Sequence, residues 1–274
     1  MNSLAKTTTD LGLFGPDSVA WRMHQDPSMI VGGMRALLIQ ALNPLAMAAV
    51  DQHSDFRSDP WGRLRRTSEF VATTIFGDTP SALSAGARIR AIHKRVRGTD
   101  QVTGLAYSAE DPQLLLWIHA VEVHSFITAY RRYGGRLSDA DADLYVYEMV
   151  RSAELVGLHA EDVPTDLDDL RSYLSGVKSL CVTPAAREGL WLVLNPPAPL
   201  PGRLAWTLPA AAAVSILPRR VRDLYGLPWL QPADPAVRLA MFSLCKTLRL
   251  LLPPPLPVRE ALERARAVTG PTAA

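Results

Sequence analysis

The chain has 274 residues, 48% of them apolar and 20% charged. That is ample for a sizeable core and far from the usage of a disordered chain. Lys and Arg exceed Asp and Glu by only 29 to 27, so no global basic field points to nucleic acid. The two cysteines, Cys181 and Cys245, exclude a disulfide framework or a Cys-rich zinc site and fit a reducing cytosol.

In chain order, residues 1–16 read as a flexible tail without the apolar core of a secretory signal, and a cytoplasmic location is expected. Residues 29–50 read as one buried helix with a kink at Pro44. A helical pattern opened by Pro60 and Trp61 runs to Phe76. Asp78-Thr79-Pro80 then caps a helix predicted to reach Arg97 and stop at Gly98. Asp111-Pro112 opens another that ends at Gly134-Gly135, and residues 144–156 form one ended by Gly157. Pro164 and Thr183-Pro184 begin two more. Residues 204–217 are the longest apolar run, too short to span a bilayer and interrupted by Pro209. This run reads as a buried core helix, with an interfacial, membrane-touching helix as the alternative. Asp234-Pro235 opens a helix to about Leu252, residues 259–268 a last amphipathic piece, and residues 269–274 a second tail.

No segment alternates as a half-buried strand would, so residues 17–268 are expected to form one all-α domain of about ten helices. Nucleotide-binding glycine motifs, HExxH, GxSxG and CxxC are absent.

Chemistry is then sought at the histidines: His24, His53, His93, His119, His124 and His159. Only His93 has a distinctive setting. In a helix, Arg90, His93 and Arg97 share one face beside Ala91, Ile92 and Val96. An imidazole against an apolar slot, flanked by guanidinium groups, suits haem: an axial ligand for the iron and partners for two propionates. The alternative is a solvated basic face with one half-buried histidine. A second cluster, Arg63, Arg66 and Thr67, brings two cations and a hydroxyl to one helical face, suited to carboxylates or to oxygen bound at a metal. Its alternative is a basic first turn paired with surface acids. His119 and His124 lie about 140° apart around one helix and cannot act as an i, i+4 metal pair. His53 is expected to cap a helix C-terminus.

The segments Asn43-Pro44, His53-Ser54, Asp59 to Thr67 (DPWGRLRRT), Arg90 to Gly98 (RAIHKRVRG), Asp111 to Ala120 (DPQLLLWIHA), Tyr130 to Leu137 (YRRYGGRL) and Leu217 to Arg222 (LPRRVR) occur in order. Together they resemble the MpaB/rubber-oxygenase family, over about residues 18 to 255. The resemblance implies a globin-like all-α core that binds haem b, with His93 as axial ligand between Arg90 and Arg97. Arg63, Arg66 and Thr67 match a distal R-x-x-K-T segment in which the family lysine can cap the iron. Arg66 replaces that lysine and stays protonated, so it cannot ligate iron. Asn43 stands where many members carry histidine, and either His119 or His124 matches a histidine near the pocket. The implied function is a haem-dependent oxygenase using O2 on an apolar, isoprenoid- or alkene-like small molecule. Alternatives are a non-catalytic haem or apolar-ligand binder and a helical interaction module without haem. No transmembrane span is expected, and peripheral membrane contact is kept as the alternative to a buried core helix.

Overall fold

The structure, a computed structural model, describes residues 10–228 and 232–269. Residues 1–9 and 270–274, which fall in the two predicted tails, lie outside the described residues. Thirteen α-helices appear among the described residues. They are α1 (Val19–His24), α2 (Met29–Gln40), α3 (Pro44–His53), α4 (Pro60–Phe76), α5 (Thr79–His93), α6 (Pro112–Tyr133), α7 (Asp139–Val156), α8 (Leu167–Gly176), α9 (Pro184–Leu194), α10 (Leu200–Ser215), α11 (Arg219–Tyr225), α12 (Asp234–Leu251) and α13 (Leu256–Thr269). The all-α expectation holds, with more and shorter helices than predicted.

The cap-and-proline starts act as read. Asp59 accepts from the Gly62 N–H, Asp78 from Ser81, Asp111 from Gln113 and Thr183 from Ala186, each with proline in the first turn. Gly157 closes α7 at φ +110°, a conformation that a Cβ would strain.

Three expectations are corrected. Residues 29–50 are two helices, α2 and α3, bent by 104°. Pro44 opens a new helix instead of kinking an old one, because the Asn43 side chain accepts from the Leu45 and Ala46 N–H groups and caps it. The helix predicted to reach Arg97 ends at His93, and a two-stranded hairpin follows: β1 (Arg97–Thr99) pairs antiparallel with β2 (Ala106–Ser108), Gly98 opposite Tyr107. Strands of three residues are too short to show alternation in sequence. Finally, the packed body begins before residue 17. Phe14 is fully buried in the core, and the Asp10 carboxylate accepts from the Thr79 N–H and hydroxyl and the Gly12 N–H.

Helix α6 runs through the middle. Leu114, Trp117 and Val121 pack into a cluster with α2, α3 and α11, while Ala120, Val123, Ile127 and Tyr130 join one with α1, α4, α7 and α13. Ala129 and Tyr133 meet α10 and α12. A helix apolar on every side belongs inside. The crossing of α2 over α6 is close enough to need Gly32: a Cβ there would lie 2.7 Å from the Phe126 ring.

Candidate functional site

His119, Glu122, His124 and Ser125 are among the polar residues that interrupt this central apolar helix. They divide into two groups. On one side, Ser125 and His124 complete the shell of Arg35, a guanidinium on α2 that is 2% exposed. Arg35 donates from Nη1 to Ser125 Oγ at 2.6 Å, from Nε to the Ile216 carbonyl at 3.0 Å and from Nη2 to His124 Nδ1 at 3.3 Å. Ile216 is the C-cap of α10, so the cation sits at the negative end of a helix instead of beside a carboxylate. Burial brings the Arg35 pKa down to about 10. Burial, then Arg35 itself, brings His124 down to about 3, so it is a neutral acceptor with its proton on Nε2.

His119 and Glu122, at i and i+3, form the other group. Neither makes a hydrogen bond or ion pair among the described residues. Burial holds His119 neutral, with its pKa brought down to about 4, and raises Glu122 to about 7. Both nevertheless keep accessible surface. Desolvation without a partner among the described residues makes both candidates for contact with a bound group. Burial, with Glu122 adding to it, raises the pKa of the Tyr145 hydroxyl on α7, which is 2.8 Å from His24 Nε2. The His24 ring stands edge-on to Phe126, at 4.8 Å, and burial brings its pKa down to about 3.

His93 ends α5 at the foot of its inner stripe, in step with Ala82, Gly86 and Ile89. Its Nδ1 is sealed from solvent and has no hydrogen-bond partner. Desolvation lowers its pKa, opposed by Glu110. Arg90 donates to the Leu155 carbonyl at 2.6 Å and so ties α5 to α7. Arg97 is corrected from its predicted place on the helix face: it lies on β1, exposed, bonded to the Lys94 carbonyl and to Glu110 at 3.0 Å. Pairing of Gly98 and Thr99 with β2 turns the chain away from the helix before Arg97 can complete that face.

On α4, the predicted trio also separates. Arg63 is desolvated, which together with Arg66 lowers its pKa, and it has no carboxylate or other acceptor among the described residues. Arg66 is 51% exposed and pairs with Asp59 at 3.3 Å and Asp55 at 4.0 Å. Thr67 is exposed and donates to the Arg63 carbonyl. Beside them Trp61 bonds the Pro197 carbonyl and packs edge-on against Trp206. His53 hydrogen-bonds Tyr107 at 3.2 Å, while Ser54 takes the C-cap position predicted for it.

Sequence reasoning missed Arg35 and Glu122. The signal was present: one cation in MIVGGMRALLIQ and one carboxylate in LLLWIHAVEVHSFI, each inside a helix otherwise apolar. The donor set left over fits a haem. His93 offers an orphaned imidazole and Arg63 an uncompensated guanidinium for a propionate, while His119 and Glu122 are desolvated without partners among the described residues. Among the described residues no three His, Cys, Asp or Glu side chains gather to hold a metal ion; a porphyrin iron needs only one or two protein ligands.

No solved structure matches the chain. It is similar to the uncharacterized proteins Rv2237 of Mycobacterium tuberculosis and Mb2261 of Mycobacterium bovis, each 34% identical over 85 residues, which cover 31% of this chain and 32% of the relative. The matched segment thus spans about a third of the length of these curated relatives. The family described as "ER-bound oxygenase mpaB/B'/Rubber oxygenase, catalytic domain" matches residues 21–250, and the chain belongs to that family.

Proposed function

We propose that this chain is a haem b-dependent oxygenase acting on an apolar small molecule of isoprenoid or alkene type. The observation that carries the reading is the set of unsatisfied polar groups inside the fold: a sealed His93 Nδ1 without a partner and a desolvated Arg63 without an anion. A buried donor or acceptor left unpaired costs about 1–3 kcal/mol, which a bound group would recover.

In this reading His93 would hold the haem iron and Arg63 would meet a propionate. Arg90 acts by holding α5 against α7, and so positions His93. When bound, haem b supplies the dioxygen chemistry. His119 stays neutral and presents an imidazole to the interior. Glu122, with its pKa raised to about 7, holds a proton on its carboxyl near neutrality and can give or take it. Arg66 and Thr67 are assigned to the distal side. Arg66 reaches inward by exchanging its Asp59 ion pair, a partly exposed contact worth about 0–1 kcal/mol. The engagement of Arg66 and the outward Thr67 also favour a second reading, a haem or apolar-ligand binder without turnover.

The test is expression with ample haem, followed by absorption spectra of the wild type and His93→Ala. The wild type is expected to carry haem b with a Soret band, and His93→Ala to lose it or shift it sharply. Retention of the wild-type band and haem affinity by His93→Ala overturns the axial assignment. Oxygen-dependent conversion of a candidate alkene separates enzyme from binder.

A further inference from the structure

The C-terminal third differs from the rest of the chain in what it leaves uncovered. Among the described residues, nine of the seventeen large exposed hydrophobics lie between Trp191 and Leu256. Four positions on α12, Leu239, Phe242, Lys246 and Leu250, follow at i, i+3, i+7 and i+11. They form a stripe on the side opposite buried Met241 and Cys245. Leu239 is 67% and Leu250 75% exposed. Helix α10 packs beside α12, and its first turns stand clear of the body, with Leu200, Arg203 and Leu204 exposed. An open groove of about 460 Å³ runs along α10 past Leu200, Leu204, Thr207, Ala211 and Val214, with Arg203 at its edge.

On α12 and the first turns of α10, the exposed charges without an ion-pair partner among the described residues are all basic. Residues 189–258 hold seven Lys and Arg but two acids, Asp223 and Asp234. Both acids are already paired, with Arg219 and Arg132 respectively. Arg203, Arg238 and Lys246 have no ion-pair partner among the described residues. An isologous contact centred on Lys246 would set it against its own image with no carboxylate to meet it. Anionic headgroups supply the missing charge, and the layer beneath them takes the leucines and the phenylalanine.

We propose that the outer stripe of α12, with the first turns of α10, docks on an anionic lipid bilayer. The contact is peripheral, since no single helix among the described residues is long and apolar enough to cross a membrane. It stands independently of the haem reading.

The test is co-sedimentation of the full chain with vesicles of phosphatidylcholine alone or with roughly a third phosphatidylglycerol. Binding is expected to the anionic vesicles and to weaken as salt rises. Leu239→Glu with Phe242→Glu is expected to reduce it by about tenfold or more. Lys246→Glu, on the same stripe, is expected to reduce the preference for anionic over neutral vesicles, and circular dichroism checks that each variant is folded. The proposal is overturned by absence of binding to either vesicle, by equal binding to both, or by variants that bind as the wild type does. A dimer in sedimentation velocity that the double variant dissolves would also overturn it, in favour of self-association.

Discussion

Two polar groups two residues apart on α6 have opposite fates. His124 accepts from Arg35, which also donates to Ser125 and to the end of α10. Glu122, one turn from His119, has no hydrogen-bond or ion-pair partner among the described residues. A closed polar network fixes how helices pack, because every alternative packing strands its members. An open one leaves stability unclaimed until something binds. The contrast therefore predicts which side chains are structural and which wait for a ligand.

The sharpest way to break the contrast is Arg35→Ala. It deletes a buried side chain and strands Ser125 Oγ, His124 Nδ1 and the Ile216 carbonyl together. A loss of about 3 kcal/mol or more in urea unfolding is expected. His119→Gln breaks no bond in the fold and is expected to stay within about 1 kcal/mol. If the two cost the same, the division into closed and open groups is wrong.

The second comparison uses pH. His124 has a folded pKa near 3 against an ordinary value of 6.5, so the unfolded chain binds more protons between those values. Its contribution is fully present above about pH 6.5 and is lost as pH falls toward 3. His24 and His119 act in the same direction. Glu122 has the opposite sign. Its folded pKa is raised from 4.5 to about 7, so its stabilising effect is complete below 4.5 and fades as pH rises through 7. Glu122→Gln is thus expected to be more stable relative to wild type at pH 8 than at pH 4, by on the order of 1–3 kcal/mol. Urea midpoints of both proteins at the two pH values measure this, and parallel curves would remove Glu122 from the buried interior.

The starts of α4, α5, α6 and α9 were legible because each is written locally, as Asp or Thr followed by proline in the first turn with a side chain that reaches back to cap. Asp234, by contrast, does not cap α12, and the helix read from Pro164 begins only at Leu167. The break at Asn43-Pro44 was written in the same code but was overridden by the unbroken apolar run around it. The β1–β2 hairpin was illegible because its pairing is nonlocal and only three residues long. His93 stood out through its arginines, although only Arg90 remains beside it on α5. Arg35 and Glu122 were hidden because a lone charge in an apolar helix signals burial without naming a partner. The separation of Arg63 from Arg66 depends on how far α4 has turned into the body by each position, and spacing alone does not give that depth.

The smallest expected effect lies on α4 and tests this separation. Arg66 is half exposed and answered by Asp55 and Asp59, whereas Arg63 is desolvated and unanswered. A surface pair of this kind is worth about 0–1 kcal/mol, so Arg66→Ala is expected to unfold within about 1 kcal/mol of wild type and to retain haem at near-normal content. If Arg66 turns inward to donate to oxygen, the variant loses its effect there instead, as a faster decay of the oxy complex per haem. Arg63→Ala is expected to behave the other way, lowering haem retention because a propionate loses its cation. Haem content and oxy-complex decay, measured side by side, decide the assignment. An Arg66→Ala protein that empties of haem while Arg63→Ala keeps it would exchange the two roles, and would mean that the Asp59 pair opens when the pocket fills.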